Sequence, residues 1–548
     1  MNESKKSLLA IVLSMLVLLA WVKWFSPPIP PPPQLSQDGV KGGEVEGSEG
    51  EKGLKKEPLS PLVKADFGRP EEKVFVETSK ISSIFSNVGG TPVTWNLLAY
   101  PHEINGSEAP VDLIGETASF FSLSFLEANF DWPEVPRYQG EKIDSKTLLY
   151  RWRSENVEAT QKITLDPESY NVEVLFTLKN LGDVPLQAKP RWELRRDVDK
   201  ESEKKGMFSF IKGPPNHWHP VYWFDGKVRR HENIGKPVEE AQSGKVYWAG
   251  VEDRYFLSAM IPQTPEDREV RWGVEESGNK KKIYAQVSAS PISLPPGATW
   301  QYPMKLYLGV KEIGMLQKGG ARLDEAIDYG FFGIVAIPLL HLLKFFYQVV
   351  HNYGLAIILL TILIKLLLHP INKRSMGSMK AMQNLQPKLK ELREKYKNDK
   401  QRLNMETMNL FKLHKVNPMG GCLPMLAQFP IYIALYKVLW NSVELYRAPF
   451  FWFYKDLSAP DPYLISPILL GIAMFAQQKL MPAATMDPAQ RKMMMFMPLM
   501  FCVFMLFLPS GLTIYILVNT VFSILQQWMI NKGIRMRDVL NGKAFAKK

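Results

Sequence analysis

Four regimes of hydrophobic patterning follow one another along the chain. The first, residues 1–25, has Lys5 and Lys6, the apolar run Leu8 to Val22, then Lys23-Trp24-Phe25. An apolar core of about 15 residues also fits a cleaved signal peptide, but no small-x-small site follows. The flanking aromatics and lysine favour an uncleaved transmembrane anchor with its N-terminus inside. Residues 26–60 come next. Pro27 to Pro33 predicts a stiff polyproline II spacer. Gln34 to Leu59 is rich in Gly, Glu and Lys with hardly any large apolar residue, so it predicts a disordered linker.

From about Val74 to Val310 the period becomes two. Lys162-Ile163-Thr164-Leu165 alternates, and Asn171-Val172-Glu173-Val174 leads into Leu175 to Leu178. Asp166-Pro167, Asn180 to Asp183 and Pro295-Pro296-Gly297 punctuate the runs, a spacing that predicts an all-β sandwich over residues 61–320. Phe331 to Val350 is apolar but carries Pro338, His341 and Lys344, so residues 321–352 are expected to include an amphipathic helix lying in the membrane interface.

The last regime predicts spans at Tyr353–His369, Gly421–Trp440, Tyr463–Met481, Met494–Leu508 and Leu512–Ile530. With the anchor these make six, each near the roughly 20 residues a bilayer requires. The fold class is thus a polytopic α-helical membrane protein of six transmembrane helices, five of them in a core at 353–533. Between the second and third spans, Met376, Met379, Met382, Leu385, Leu389, Leu392 and Tyr396 form one helical stripe and Leu403 to Val416 a second, with Asn398-Asp399 between. Residues 373–416 therefore read as a helical hairpin, with Pro387 expected to kink its first helix.

Charge orients this arrangement. The chain has 548 residues and a formal net charge of +12. Ser26 to Gly330 holds about 38 Lys/Arg against about 45 Asp/Glu, whereas Phe331 to Lys548 holds about 26 against about 9. The loop 371–420 carries about 12 basic residues against about 4 acids, and the tail about 6 against 1, so both belong on the positive, cytoplasmic side. Both termini are then cytoplasmic, residues 26–352 lie outside, and 534–548 form a basic cytoplasmic tail. The excess charge of the hairpin suits an anionic partner, lipid headgroup or ribosomal RNA. Soluble nucleic-acid binding fits poorly, because the charges sit between hydrophobic runs.

Polar residues inside the spans carry the chemistry, since hydrocarbon penalises them. Thr361, Lys365 and His369 share one helical face; so do Gln428, Tyr432 and Tyr436, and so do Tyr515, Asn519, Phe522 and Gln526. Three such stripes could face a hydrated cavity. Lys365 lies about 18 Å into its span, where it either serves that cavity or snorkels to the inner headgroups. Met474, Met481, Met486, Met493, Met494, Met495, Met497, Met500 and Met505 crowd the fourth and fifth spans, which suits either a surface accepting many apolar sequences or plain packing.

No cofactor, metal or catalytic residue is expected. Two cysteines, Cys422 and Cys502, are too few for a thiolate metal cluster. No Gly-rich phosphate loop occurs. His217-Trp218-His219 lacks a third ligand and reads as an exposed aromatic loop, and Asn105-Gly106-Ser107 as a chance sequon. An ion transporter would need intramembrane Asp or Glu, which the span centres lack. A carbohydrate enzyme would need clustered carboxylates or histidines, which nothing assigns.

Asn417-Pro418-Met419-Gly420-Gly421-Cys422-Leu423-Pro424, followed by Gln428-Phe429-Pro430 and Leu435-Tyr436, resembles the third span of the YidC/Oxa family of membrane protein insertases. Ser442 to Leu445, Ala448-Pro449-Phe450, Asp456-Leu457-Ser458, Asp461-Pro462, Met497-Pro498 and Pro509 to Leu512 extend the resemblance over about residues 330–533. The anchor and β-domain, with Tyr247-Trp248-Ala249-Gly250 and Tyr255-Phe256, are similar to the Gram-negative branch. What the resemblance implies is a monomeric or translocon-associated insertase of the bacterial inner membrane, handling nascent membrane proteins in the lipid bilayer. Its periplasmic domain would be a super-β-sandwich similar to sugar mutarotases. Its groove would open to cytoplasm and lipid, with Lys365 where the family usually has Arg; the polar stripes would line it further with Thr361, Gln428, Tyr432, Tyr515, Asn519 and Gln526. Lysine keeps the charge but loses the planar fork. The hairpin would recruit substrates, the tail would dock ribosomes, the Sec translocon would be a partner, and the third and fifth spans would form an apolar slide.

Overall fold

The computed structural model describes residues 70–531 apart from 105–106, 118, 201–216, 265, 398, 415, 417–422, 452–453 and 481–487. The anchor, the linker, the Asn105 sequon, the start of the 417–424 motif, Met481, Met486 and the basic tail lie outside the described residues.

Strands β1 to β19 form three antiparallel sheets. The four-stranded sheet is β1 (Lys73–Glu77), β2 (Ile81–Ser86), β3 (Thr91–Ile104) and β4 (Ser107–Asp112). The nine-stranded sheet runs β12 (Lys227–Arg230), β11 (His219–Phe224), β14 (Val246–Glu252), β15 (Phe256–Pro262), β19 (Thr299–Val310), β9 (Asn171–Asn180), β8 (Val157–Leu165), β7 (Thr147–Arg153) and β6 (Gln139–Lys142). Against it lies the six-stranded sheet: β13 (Val238–Gly244), β16 (Arg268–Ser277), β17 (Lys280–Ser288), β10 (Leu186–Asp199) and β18 (Ile292–Leu294), with β5 (Phe121–Leu126) also on β10.

The expected alternation is what sets the sheets' inner faces. In β8, Val157, Ala159, Gln161, Ile163 and Leu165 are buried and the residues between them are not, because side chains along a strand point to opposite faces. Buried Gln161 is satisfied by donating to the Gly90 carbonyl at 3.0 Å. Trp192 stacks on Tyr302 with ring centroids 4.2 Å apart, and the buried Trp95 indole donates to the Leu308 carbonyl at 2.8 Å. The hydrogen bond satisfies the polar edge of the Trp95 ring inside an apolar layer.

Downstream come α1 (Ile313–Gly319), α2 (Gly333–Val350), α3 (Tyr353–Asn384), α4 (Gln386–Lys395), α5 (Lys400–Leu413), α6 (Leu423–Asn441), α7 (Ile465–Leu480), α8 (Pro488–Met505) and α9 (Ser510–Asn531). Among the described residues, Gly330–Val350, Tyr353–Lys373 and Ser510–Met529 are long and apolar enough to cross a membrane, and Ile465–Leu480 and Met495–Met505 are shorter apolar helices. Helix α3 packs on α2, α6 and α9, and α9 also packs on α7. Helix α2 buries Ala336, Leu339, Leu340 and Leu343 while Phe331, Ile334, Phe345 and Val349 around it stay exposed.

Two local expectations are corrected. The helix starting at Tyr353 does not stop at His369 but continues through Pro370 to Asn384. Pro387 does not kink one long helix: the chain breaks at Leu385, and Pro387 sits in the first turn of α4, where its missing N–H costs nothing and its fixed φ is helical. The hairpin closes on Met382, Leu385, Leu389 and Phe411. Asp399 caps α5, its carboxylate accepting from the Arg402 amide at 3.0 Å.

Candidate functional site

The site forms where α3, α6 and α9 meet. Asn352 fixes the start of α3 from both sides: its Oδ1 accepts from the Leu355 amide at 3.0 Å and its Nδ2 donates to the Phe450 carbonyl at 2.9 Å. Twelve residues on, about 18 Å along the helix, Lys365 is 3% exposed, whereas Leu366 and Leu367 beside it are 53% and 68% exposed. The lysine therefore turns into the bundle and the leucines out of it. Its ammonium donates to Ser523 Oγ on α9 at 2.7 Å.

A carboxamide cluster stands near it. Gln428 Nε2 donates to Asn519 Oδ1 at 2.5 Å, and Asn519 Nδ2 donates to the Tyr432 hydroxyl. The Tyr432 and Tyr515 rings meet edge to face at 5.6 Å. Closer to the hairpin, Asn372 Nδ2 approaches Gln526 Oε1 at 3.4 Å, with both side chains buried. The helices α3 as far as Lys373, α6, α7, α8 and α9 contain no Asp or Glu, so no carboxylate on them neutralises Lys365.

The three expected stripes converge in part. Lys365, Gln428, Tyr432, Tyr515, Asn519 and Gln526 all face the interhelical space. Thr361 is fully buried there, but its hydroxyl is committed to the Ile357 carbonyl of its own helix at 2.7 Å. His369 keeps a buried Nδ1 without a hydrogen-bond partner among the described residues. Tyr436 leaves the group and stacks on Trp440 at 5.7 Å, near the β-sandwich. Phe522 is half-buried. The residue the stripe reading passed over is Ser523, although Asn519, Ser523 and Gln526 at i, i+4 and i+7 share a face equally well. Asn372 was missed because it follows Pro370, beyond the expected end of the span.

The methionines differ in exposure. Met495, Met497 and Met500 are exposed along α8, Met474 packs partly buried, and Met505 is buried. The apolar surface continues on α7 through Ile468, Leu469, Ile472 and Phe475.

The β-sandwich is pinned to the helices through polar and aromatic contacts. Arg254 Nε donates to the Trp440 carbonyl at 2.6 Å and its guanidinium lies over the Trp440 ring at 3.8 Å. Lys344 bridges Glu312 at 3.0 Å and Glu444 at 2.7 Å. Burial would raise the Asp328 carboxyl, but Lys437 at 2.8 Å holds it below its usual range. The expected exposed loop at His217 to His219 is instead half-buried: Arg196 covers the Trp218 ring at 4.7 Å and His219 approaches Glu252 at 3.4 Å. Among the described residues no group of three His, Cys, Asp or Glu is placed to hold a metal ion.

Apolar helices of bilayer length, a cation and carboxamides between them, and a large antiparallel β-sandwich upstream define a helical membrane protein with an extramembrane domain. Family models agree with this division: residues 73–342 match the YidC periplasmic domain and 345–538 the 60Kd inner membrane protein. The membrane protein insertase YidC of Syntrophus aciditrophicus is 35% identical over 562 residues, 96% of this chain and 99% of that one. That of Geobacter metallireducens is 35% identical over 547 residues, 97% and 98% of the two chains. A solved active YidC insertase matches 84% of this chain and 93% of its own at 17% identity and a TM-score of 0.36. The chain belongs to the YidC family of membrane protein insertases, proteins of the inner membrane, and the relatives' names describe insertases rather than enzymes. A galactose mutarotase-like protein from Lactobacillus casei covers 43% of the chain at 9% identity and a TM-score of 0.26.

Proposed function

We propose that this insertase moves nascent transmembrane segments from the cytoplasm into the inner membrane along the polar groove between α3, α6 and α9. The observation that carries the reading is Lys365, buried against a neutral hydroxyl with no carboxylate on the surrounding helices. A charge kept at that depth is costly and is retained where it contacts water or a polar ligand. The ammonium and the Asn519, Gln428 and Tyr432 groups offer hydrogen bonds to a short hydrophilic segment that would otherwise face hydrocarbon. Its apolar neighbour leaves over the exposed side chains of α6 and α8 and gains about 25 cal/mol for each Å² transferred to lipid. The membrane potential adds about 2.3 kcal/mol per charge per 100 mV. No cofactor, metal or nucleotide enters this scheme.

The rest of the chain fits around the groove as follows. Residues 1–25 anchor the protein, 26–60 tether the sandwich, and 61–320 form the periplasmic domain. Residues 321–352, with α2, lie in the outer interface, its exposed Phe331, Ile334 and Phe345 in acyl chains and Lys344 held inward by its two carboxylates. Six spans with both termini cytoplasmic satisfy the charge bias. The hairpin at 373–416 and the basic tail at 534–548 recruit ribosomes and substrates, and the protein works as a monomer, alone or beside the Sec translocon, and chaperones the segments it receives.

The test is insertion of a small single-span protein into proteoliposomes holding this protein alone, with Lys365→Ala and Lys365→Arg in parallel. Insertion by the wild type and by Arg, and its loss in Ala, is the expected result. Equal insertion by Ala removes the charge from the mechanism. No insertion by the wild type removes the solo activity.

A further inference from the structure

We infer that Ser523 is a positioning residue for insertion: its hydroxyl holds the Lys365 ammonium inside the groove as a neutral acceptor, leaving the full positive charge for an acidic or carbonyl-rich stretch of the moving chain. This deepens the groove reading above and rests on it.

Three observations converge on that serine. First, its hydroxyl is oriented by its own helix. Ser523 Oγ donates to the Asn519 carbonyl one turn back at 2.9 Å, a back-bond common for serine in a helix. A hydroxyl has one proton, so with that proton committed its lone pairs are left to accept, and Lys365 Nζ meets them at 2.7 Å. Second, the neighbouring polar groups are engaged elsewhere. The Asn519 carboxamide is taken by Gln428 and Tyr432, and Thr361, which makes the same back-bond to the Ile357 carbonyl, is not the hydroxyl the ammonium meets. Third, lysine in this place needs an address. Its ammonium ends a flexible four-carbon stem, without the planar fork that lets arginine make several directed bonds from one orientation. Leu366 and Leu367 next in the chain face outward, so a freed ammonium has a route along apolar surface toward the headgroups.

The identity of the acceptor decides what the cation can do. A carboxylate at position 523 would hold the ammonium more strongly but cancel its charge. A hydroxyl fixes its location and leaves the charge intact. The ligand chemistry that matches is therefore anionic or strongly hydrogen-bond accepting: an Asp or Glu side chain, or several backbone carbonyls, in the hydrophilic part of a substrate.

The experiment uses the full chain in proteoliposomes, with rates divided by the amount of folded protein recovered as a single species by size exclusion. Ser523→Ala, Ser523→Thr, Lys365→Ala and the double Lys365→Ala with Ser523→Ala are compared on one single-span substrate. That substrate's hydrophilic segment carries two Asp, or two Asn in their place. Losing a hydrogen bond to a charged group predicts that Ser523→Ala slows the acidic substrate about tenfold. Threonine, which can make the same back-bond and the same acceptance, should restore the rate. The double variant should be no slower than Lys365→Ala alone, because the serine acts through the lysine. The Asn substrate should be slowed less than the Asp substrate. A Ser523→Ala rate equal to wild type overturns the inference. So does a double variant slower by the product of the two single effects, since the serine would then act independently. If Lys365→Ala itself matches wild type, the groove reading falls, and this positioning role falls with it. A normal Ser523→Ala beside a defective Lys365→Ala removes only the positioning role.

Discussion

Replacing Ser523 by Asp separates holding the groove cation from using it. The new carboxylate would stand about 20 Å along α9 from Ser510, at the place where the hydroxyl now meets Lys365 Nζ at 2.7 Å. At about 4 Å between charge centres and an effective dielectric near 20, the attraction is about 4 kcal/mol. Placing an aspartate at membrane depth costs about 2.5–3.5 kcal/mol. The two nearly cancel, so Ser523→Asp should fold, with its melting temperature within a few degrees of wild type. Function should not be spared. An acidic substrate segment must now displace a carboxylate already in contact, a competition worth about 4 kcal/mol, or on the order of a thousandfold in rate. The assay is protease protection of the single-span substrate in proteoliposomes, run with Asp, Asn or Lys in its hydrophilic segment. The Asp form should fail, the Asn form should lose less, and the Lys form should lose least. Insertion of the Asp form at the wild-type rate by a folded Ser523→Asp protein would refute the reasoning.

Arg254→Ala removes a charged hydrogen bond and a cation–π contact that join the β-sandwich to the end of α6. A loss of about 2–4 kcal/mol at that junction follows, seen as faster limited proteolysis between sandwich and helices; an unchanged cleavage rate would contradict the docking role. Glu252 is fully buried between Arg230 at 2.7 Å and Lys311 at 2.8 Å. Burial would raise its carboxyl, but Lys311, Arg230 and His219 hold it well below the usual range. Glu252→Gln leaves those cations without their counter-charge and should cost about 3–5 kcal/mol. Because the folded-state value is depressed, this stability is complete above the unfolded value of about 4.3 and is lost as pH falls below it. The difference in melting temperature between wild type and Glu252→Gln should therefore be large at neutral pH and shrink in strong acid; a constant difference would show that the charge is not its source. Asp399→Ala removes the cap of α5 and should cost about 1 kcal/mol locally, read as faster amide exchange in residues 400–413 with the rest of the chain unchanged.

Local patterns were legible wherever one residue's neighbours along the chain decide its environment. The alternation in β8 and β9 is the burial pattern of those strands, and Asp399 does stand before a new helix in the hairpin, supplying its oxygen to the Arg402 amide. Pro387 and Pro370 were harder to read, because a proline within a helical pattern can end, begin or merely bend a helix. Here Pro387 stands in the first turn of α4 and Pro370 lies inside the continuous α3. The aromatic loop at His217 to His219 also failed as a local reading, since Arg196 and Glu252 come from other strands.

The sequence by itself determined the two solvents this protein lives in, because runs of apolar residues and period-two alternation are properties of neighbouring positions. It also determined that a cation and a few carboxamides must enter the apolar spans, and that no acid accompanies them within those spans. Which partners they would meet was decided only by the tertiary structure. From Asn519, both Phe522 and Ser523 lie on an acceptable face of α9, since such a face is more than 100° wide. Packing of α9 on α3 chose the serine, and with it the contact to Lys365 across 158 residues of chain. A helical period specifies a direction around one axis, whereas a hydrogen bond between two helices also needs their separation, rotation and relative height, which only the packed bundle supplies.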